Sequence, residues 1–116
     1  MNQANPAPVS HVLTIRLTAD KALRSSMIDT LRGIAGPTRV HPGCRRLGVY
    51  LAADNPEELT LIEEWETLEA MTAHLRSRDF RAVLSVIDLS KRAPEIRLDS
   101  VTSTEGIECL TEMLAG

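Results

Sequence analysis

Residues 42–80, PGCRRLGVYLAADNPEELTLIEEWETLEAMTAHLRSRDF, decide the fold. Two stretches, about Cys44 to Ala52 and Leu59 to Glu66, alternate apolar and polar residues as half-buried strands do. Between them the linker AADNPEE has the Asp-Asn-Pro chemistry of a reversing turn, so the pair reads as a β-hairpin. After Trp65 the apolar period lengthens from two to about 3.6 residues, with Leu68, Met71 and Leu75 on one stripe. The second strand therefore runs straight into a helix. Thr67 is placed to cap that helix by accepting an orphaned first-turn amide, and Glu66 and Glu69 suit its positive end.

Working outward, residues 1–8, MNQANPAP, carry two prolines and no periodic pattern, which predicts a flexible lead to a single domain over 9–116. From Val9 the chain alternates, with Val9, His11, Leu13, Ile15 and Leu17 on one face and Val12, Thr14 and Arg16 on the other. A first helix is expected from near Asp20, burying Leu23, Met27, Leu31, Ile34 and Ala35, and ended or kinked by Gly36-Pro37. Beyond the second helix, Ser77-Arg78-Asp79 can start another helical piece with the stripe Phe80, Val83, Leu84 and Ile87. Pro94 opens a fourth strand in which Ile96 and Leu98 alternate with Arg97 and Asp99. A terminal helix over 105–116, capped by Thr104, has Ile107, Leu110, Met113 and Leu114 as its apolar side.

The order strand, helix, strand, strand, helix, strand predicts an α+β, ferredoxin-like βαββαβ domain with an added C-terminal helix. Helices cover only one face of such a sheet. The other face carries Val12 and half of every other strand, and apolar surface of that kind predicts an interface. A homodimer joined sheet to sheet is the simplest way to cover it.

Composition narrows the function classes. The chain of 116 residues has a net charge of −3 and one each of Trp, Tyr and Phe, so it offers neither a basic stripe for phosphates nor a platform for stacking bases. Nucleic acid is not an expected partner. No apolar run is long enough to cross a bilayer, so no membrane partner is expected. Cys44 and Cys109 lie far apart without metal-like spacing, and no leader pattern opens the chain, which together predict a reducing cytoplasm. Ser25-Ser26 has no G-x-S-x-G setting, and neither a Gly-rich phosphate loop nor H-E-x-x-H occurs. No metal, flavin or haem is expected as a cofactor.

The run P-G-C at 42–44, L-x-L-x-E-x-W ending at Glu63 and Trp65, and E-A-x-x-x-H-L-x-S-x-x-F from Glu69 to Phe80 together resemble the antibiotic biosynthesis monooxygenase family, its quinol-monooxygenase-like members above all. The similarity is clear over residues 42–84 and looser elsewhere. It implies a dimeric α+β barrel, each subunit keeping a pocket between its sheet and helices. For catalytic members it implies oxygenation of a phenol or quinol without metal, flavin or haem, the deprotonated substrate itself reducing oxygen in a dry pocket. A neighbouring branch degrades haem with an Asn, a Trp and a His. The corresponding positions here are Ile15, His74 and Leu84, so that activity is not implied.

His74 is the candidate for proton handling, since an imidazole exchanges protons near neutral pH. It sits at the edge of the apolar stripe, and the alternative is a hydrogen-bonded histidine filling a helix–sheet seam. Trp65 and Tyr50 are candidates to wall an aromatic ligand, against ordinary core packing. Glu63 shares the strand face of Trp65, and a buried carboxylate there calls for a partner such as Arg16, Arg45 or Arg46. His11 and His41 do not build a metal site, and both cysteines read as small apolar groups. The expected function is a cofactor-independent monooxygenase for a small quinol-like or polycyclic phenolic substrate. The alternative is a non-catalytic dimeric module that holds an apolar metabolite.

Overall fold

The hairpin forms where the alternation places it. Strands β2 (Cys44–Leu51) and β3 (Glu58–Trp65) pair antiparallel, with Leu47 opposite Glu63 and Leu51 opposite Leu59. Strand β1 (Ser10–Thr18) pairs antiparallel with the other side of β3, and β4 (Glu95–Val101) with the outer side of β1. The sheet order is thus β2-β3-β1-β4. Helices α1 (Arg24–Arg39), α2 (Leu68–Leu75) and α3 (Arg78–Asp88) complete the α+β ferredoxin-like fold, and α4 (Ile107–Ala115) follows β4. The structure is a computed structural model and describes residues 7–115. Of the expected lead, residues 1–6 lie outside the described residues.

The core forms on the helix side of the sheet. Leu13, Ile15 and Leu17 of β1 pair with Glu63, Leu61 and Leu59 of β3, and this inward column meets Met27, Leu31 and Ile34 of α1 and Val83 and Val86 of α3. The opposite face is more polar than the alternation suggests. Val12, Ile62 and Tyr50 stand there among Arg16, Arg46, Glu64 and Arg97. No helix among the described residues is long and apolar enough to cross a membrane.

Three local expectations are corrected. Helix α1 begins at Arg24 rather than near Asp20, because Asp20 closes a tight turn in which its carbonyl accepts the Leu23 amide at 2.9 Å. It then runs through Pro37 to Arg39. Pro37 has no amide to donate to the Gly33 carbonyl, so the last turn lacks one backbone bond, and Thr38 Oγ1 donates to the Ile34 carbonyl at 2.7 Å in the same turn. On α3 Val86 is buried along with Phe80 and Val83, while Leu84 stays about half exposed. The caps at Thr67 and Ser77 are present, each side chain accepting an amide three residues on.

Gly43 explains the P-G-C run. It has φ of +86°, and a Cβ there would fall 2.5 Å from Cβ of Ala70 in the first turn of α2. Its carbonyl accepts the Glu66 amide at 2.8 Å. The start of β2, the end of β3 and α2 therefore meet at one residue without a side chain. Gly43→Ala should destabilise the protein by about 2 kcal/mol or more, from left-handed strain plus collision. Gly33→Ala on α1, where a Cβ meets nothing within 4 Å, should stabilise it by about 0.5–1 kcal/mol. Urea denaturation of the two variants checks the ordering, and equal midpoints would contradict it.

Candidate functional site

Glu63 stands in the middle of β3 on the core side, with Leu13 and Leu47 as its cross-strand neighbours, and is 0 % exposed. A carboxylate in such surroundings persists only where donors replace water. Trp65, two residues along the same strand face, donates Nε1–H to Glu63 Oε1 at 3.0 Å. His74 supplies the second partner, with Nε2 at 3.2 Å from Glu63 Oε2. Helix α2 brings it there: the Thr67 cap fixes the first turn by accepting the Ala70 amide, and His74 arrives nearly two turns later, facing β3 and 1 % exposed.

The imidazole is held on its faces as well. It stacks on Trp65 with ring centroids 4.9 Å apart, and the rings of Phe80 and His41 meet it edge-on at 5.5 and 5.7 Å. With Glu63 accepting, Nε2 carries a proton, and in the neutral imidazole Nδ1 then holds a free lone pair. That atom is buried without a hydrogen-bond partner. A carboxylate orienting one imidazole nitrogen while the other stays open is the arrangement of a general base with its orienting group.

A bulge at Arg45 shifts the register between Cys44 and Arg46, so that Cys44 pairs with Trp65 and lies on the side of Glu63. A strict period of two would have turned it to the other face. Burial, and next the nearby Glu63 charge, push the Cys44 thiol above its ordinary range. The thiol of Cys109 is also raised, by its hydrogen bond with Glu105 and then by desolvation.

The other expected residues are dispersed. Tyr50 pairs with Thr60 on the opposite face, 47 % exposed and laid over Gly48, so the sheet separates it from Trp65. None of the three arginines reaches Glu63: Arg16 pairs with Glu95, Arg45 approaches Glu66 at 4.0 Å, and Arg46 stands on the far face. His11 Nδ1 meets Ser100 Oγ at 3.3 Å, and His41 Nε2 meets Asp79 at 3.4 Å. Among the described residues no three His, Cys, Asp or Glu side chains converge to hold a metal.

One feature went unread in the sequence. A cleft of about 560 Å³ opens between α1 and β2, lined by Ile28, Arg32, Ala35, Arg39, Val49 and Leu51. The four α1 residues recur at spacings of four, three and four, a helical stripe that mixes apolar and cationic groups. Arg39 Nε donates to the Leu47 carbonyl at 3.1 Å, which steadies one guanidinium at the cleft. Neither this cleft nor the smaller ones near Pro56 and along α2 is lined by His74, Trp65, Glu63 or Tyr50.

The family model for antibiotic biosynthesis monooxygenases matches residues 10–85. Among solved structures, Rv0793 from Mycobacterium tuberculosis is 23 % identical, with 84 % of this chain and 99 % of that one covered and a TM-score of 0.75. A conserved protein from Methanosarcina mazei Go1 is 21 % identical over 80 % of this chain and 93 % of its own, TM-score 0.75. A candidate antibiotic biosynthesis monooxygenase from Nitrosomonas europaea is 15 % identical over 85 % and 96 %, TM-score 0.75. At these identities the structural likeness concerns the fold. No curated protein matches the sequence.

The raised Cys44 thiol gives a measurable pH dependence. In a Cys109→Ser background, iodoacetamide should modify Cys44 more slowly at pH 7.5 than it modifies an unperturbed thiol, the rate still climbing above the usual thiol range. Glu63→Gln removes the second cause, lowers the thiol pKa and should speed the reaction at fixed pH in the folded protein. An unchanged rate in that variant would show that Glu63 carries no charge felt at Cys44.

Proposed function

The chain belongs to the antibiotic biosynthesis monooxygenase family, and from that premise we propose that it is a cofactor-independent monooxygenase acting on a small quinol-like or polycyclic phenolic substrate. Family membership supports a monooxygenase-like role in general. The observation that carries the finer reading is the Glu63–His74 pair, a carboxylate-backed imidazole whose unpartnered Nδ1 lies in a dry seam.

In this reading His74 Nδ1 takes the acidic proton of the substrate, and Glu63 stabilises the imidazolium that forms. The resulting electron-rich anion reduces oxygen directly. In an anthrone-type substrate a ring methylene becomes a carbonyl, and in a quinol a ring C–H becomes C–OH as the ring is oxidised to the quinone; in both one oxygen atom stays in the product and the other leaves as water, so the substrate supplies every electron. Trp65 holds the imidazole plane and Glu63 its tautomer. Tyr50, on the opposite face, has no part.

A second reading is a non-catalytic dimeric module that holds a small apolar metabolite. It is favoured by the α1–β2 cleft, which the His74 cluster does not line and in which Ile28, Ala35, Val49 and Leu51 offer apolar contact while Arg32 and Arg39 can donate to a carbonyl oxygen. Oxygen uptake over a panel of reduced quinones and anthrones separates the two. The first reading expects turnover that His74→Ala lowers by roughly 10²-fold or more in a folded protein. Full turnover in a folded His74→Ala variant would remove the base. No uptake with any compound, together with quinone binding that Arg32→Ala and Arg39→Ala abolish, would establish the second reading.

Both readings include a homodimer with the open sheet face between copies. An assembly of that kind should bury more than roughly 2,000 Å² in total. Sedimentation at micromolar concentration should show twice the chain mass, and a monomer there would exclude the dimer.

A further inference from the structure

Helix α4 is amphipathic, yet it covers nothing in its own chain. Ile107, Leu110, Met113 and Leu114 are 58–86 % exposed, and none of the residues of α4 is buried. A nine-residue helix cannot stand alone in water, where isolated helices shorter than about 12–15 residues are marginal. It therefore requires a surface to dock against.

The molecule has one of matching chemistry. Ile96 and Leu98 of β4 pair with Ile15 and Leu13, so they face the helix side of the sheet. Their partners on β1 are buried, but Ile96 and Leu98 are 55 and 50 % exposed. The helices pack elsewhere: α2, which opens the crossover from β3 to β4, packs on β3, α3 packs on α1, and α1 packs on β2. No helix is left for β4. Residues 76–92, which lead into β4, hold Arg76, Arg78, Arg81, Lys91 and Arg92 against two acids, Asp79 and Asp88. Residues 98–116, by contrast, hold Asp99, Glu105, Glu108 and Glu112 and no base. The exposed side chains of α4 and of the β4 strip match in hydropathy, and the segment leading into β4 is opposite in net charge to the segment that carries α4.

The chain does not bring its own α4 back over this strip. Residues 102–106 contain neither turn nor bend, and the one positive φ among the described residues is at Gly43, so Gly106 is not used to reverse direction. The radius of gyration is 16.8 Å and the long dimension 55 Å, whereas a compact chain of this length has a radius of about 13 Å. We propose that α4 docks on the β4 strip of a second copy of this chain, the two copies exchanging their C-terminal helices about a two-fold axis. A reciprocal exchange covers the strip of each copy once and so makes two equivalent contacts. The six side chains of each copy can then bury roughly 1,400 Å² in total, within the range of a stable interface. This contact is distinct from the open sheet face and does not depend on any activity.

Disulfide trapping tests it. In a Cys44→Ala, Cys109→Ser background, chains carrying Leu98→Cys are mixed with chains carrying Leu110→Cys and oxidised. Exchange predicts a covalent heterodimer on a non-reducing gel, and covalent dimers from the variant with both cysteines. A disulfide within single chains of the double variant would mean that α4 folds back, and overturns the proposal. So would no cross-link in a protein that sediments as a dimer. Independently, Leu110→Lys with Leu114→Lys should raise the dimer dissociation constant by 100-fold or more and leave the fold of the single chain intact, because α4 supports nothing within it. An unchanged dissociation constant would refute the exchange.

Discussion

A charge with no access to water sets the terms for this molecule. Taking a carboxylate out of solvent costs several kcal/mol even after relaxation, and Glu63 lies between two leucines on the middle of the sheet. The structure offsets that cost with two donors, Trp65 and His74. The first follows from strand geometry alone. The second requires α2 to sit at one height and one rotation over β3, and several features that look unrelated serve that placement. Gly43 lets the first turn of α2 approach the β2 strand, Thr67 fixes where the helix begins, and Ser77 fixes where it ends, donating its hydroxyl to the His74 carbonyl at 2.6 Å.

The fold was legible because its deciding signals are local. Alternation, a turn, a capping threonine and a change of period lie consecutively between residues 42 and 80, and no tertiary knowledge is needed to join them. The errors fall where the physics is not local. Asp20 has the chemistry of a helix cap, but the turn it closes consumes its carbonyl four residues before the helix begins. Pro37 lacks the amide a helix needs, and yet α1 continues two residues past it, an outcome the Gly36-Pro37 signal does not encode.

Of the candidate site residues, the sequence joins two and leaves the other connections unread. Periodicity places Glu63 and Trp65 on one face and so contains their hydrogen bond. An arginine partner for Glu63 was the natural expectation, since buried carboxylates usually meet guanidinium. The hydrogen bond from His74 depends on a helix crossing angle that no spacing encodes. The bulge at Arg45 moved Cys44 to the core side, and strand parity put Tyr50 on the other. Parity could have been counted for Tyr50 once the hairpin register was known. The register itself depends on how many residues the turn absorbs.

A base as enclosed as His74 acts only on a proton that reaches Nδ1, so the chemistry depends on which wall of the imidazole can open. Trp65 and Glu63 belong to a strand hydrogen-bonded on both sides, and His74 to a helix fastened at both ends. These walls are coupled to the whole core. Phe80 and His41 come instead from the start of α3 and from the loop before β2, and their outer link is the half-exposed contact of His41 with Asp79 at 3.4 Å. A screened pair of that kind contributes at most about 1 kcal/mol. On the proposed reading it is therefore this wall that gives way, and the exchange is chemically even: a flat ring entering there replaces one aromatic edge against His74 with another, while the stack on Trp65 and the bond to Glu63 keep the imidazole in the orientation that leaves Nδ1 free.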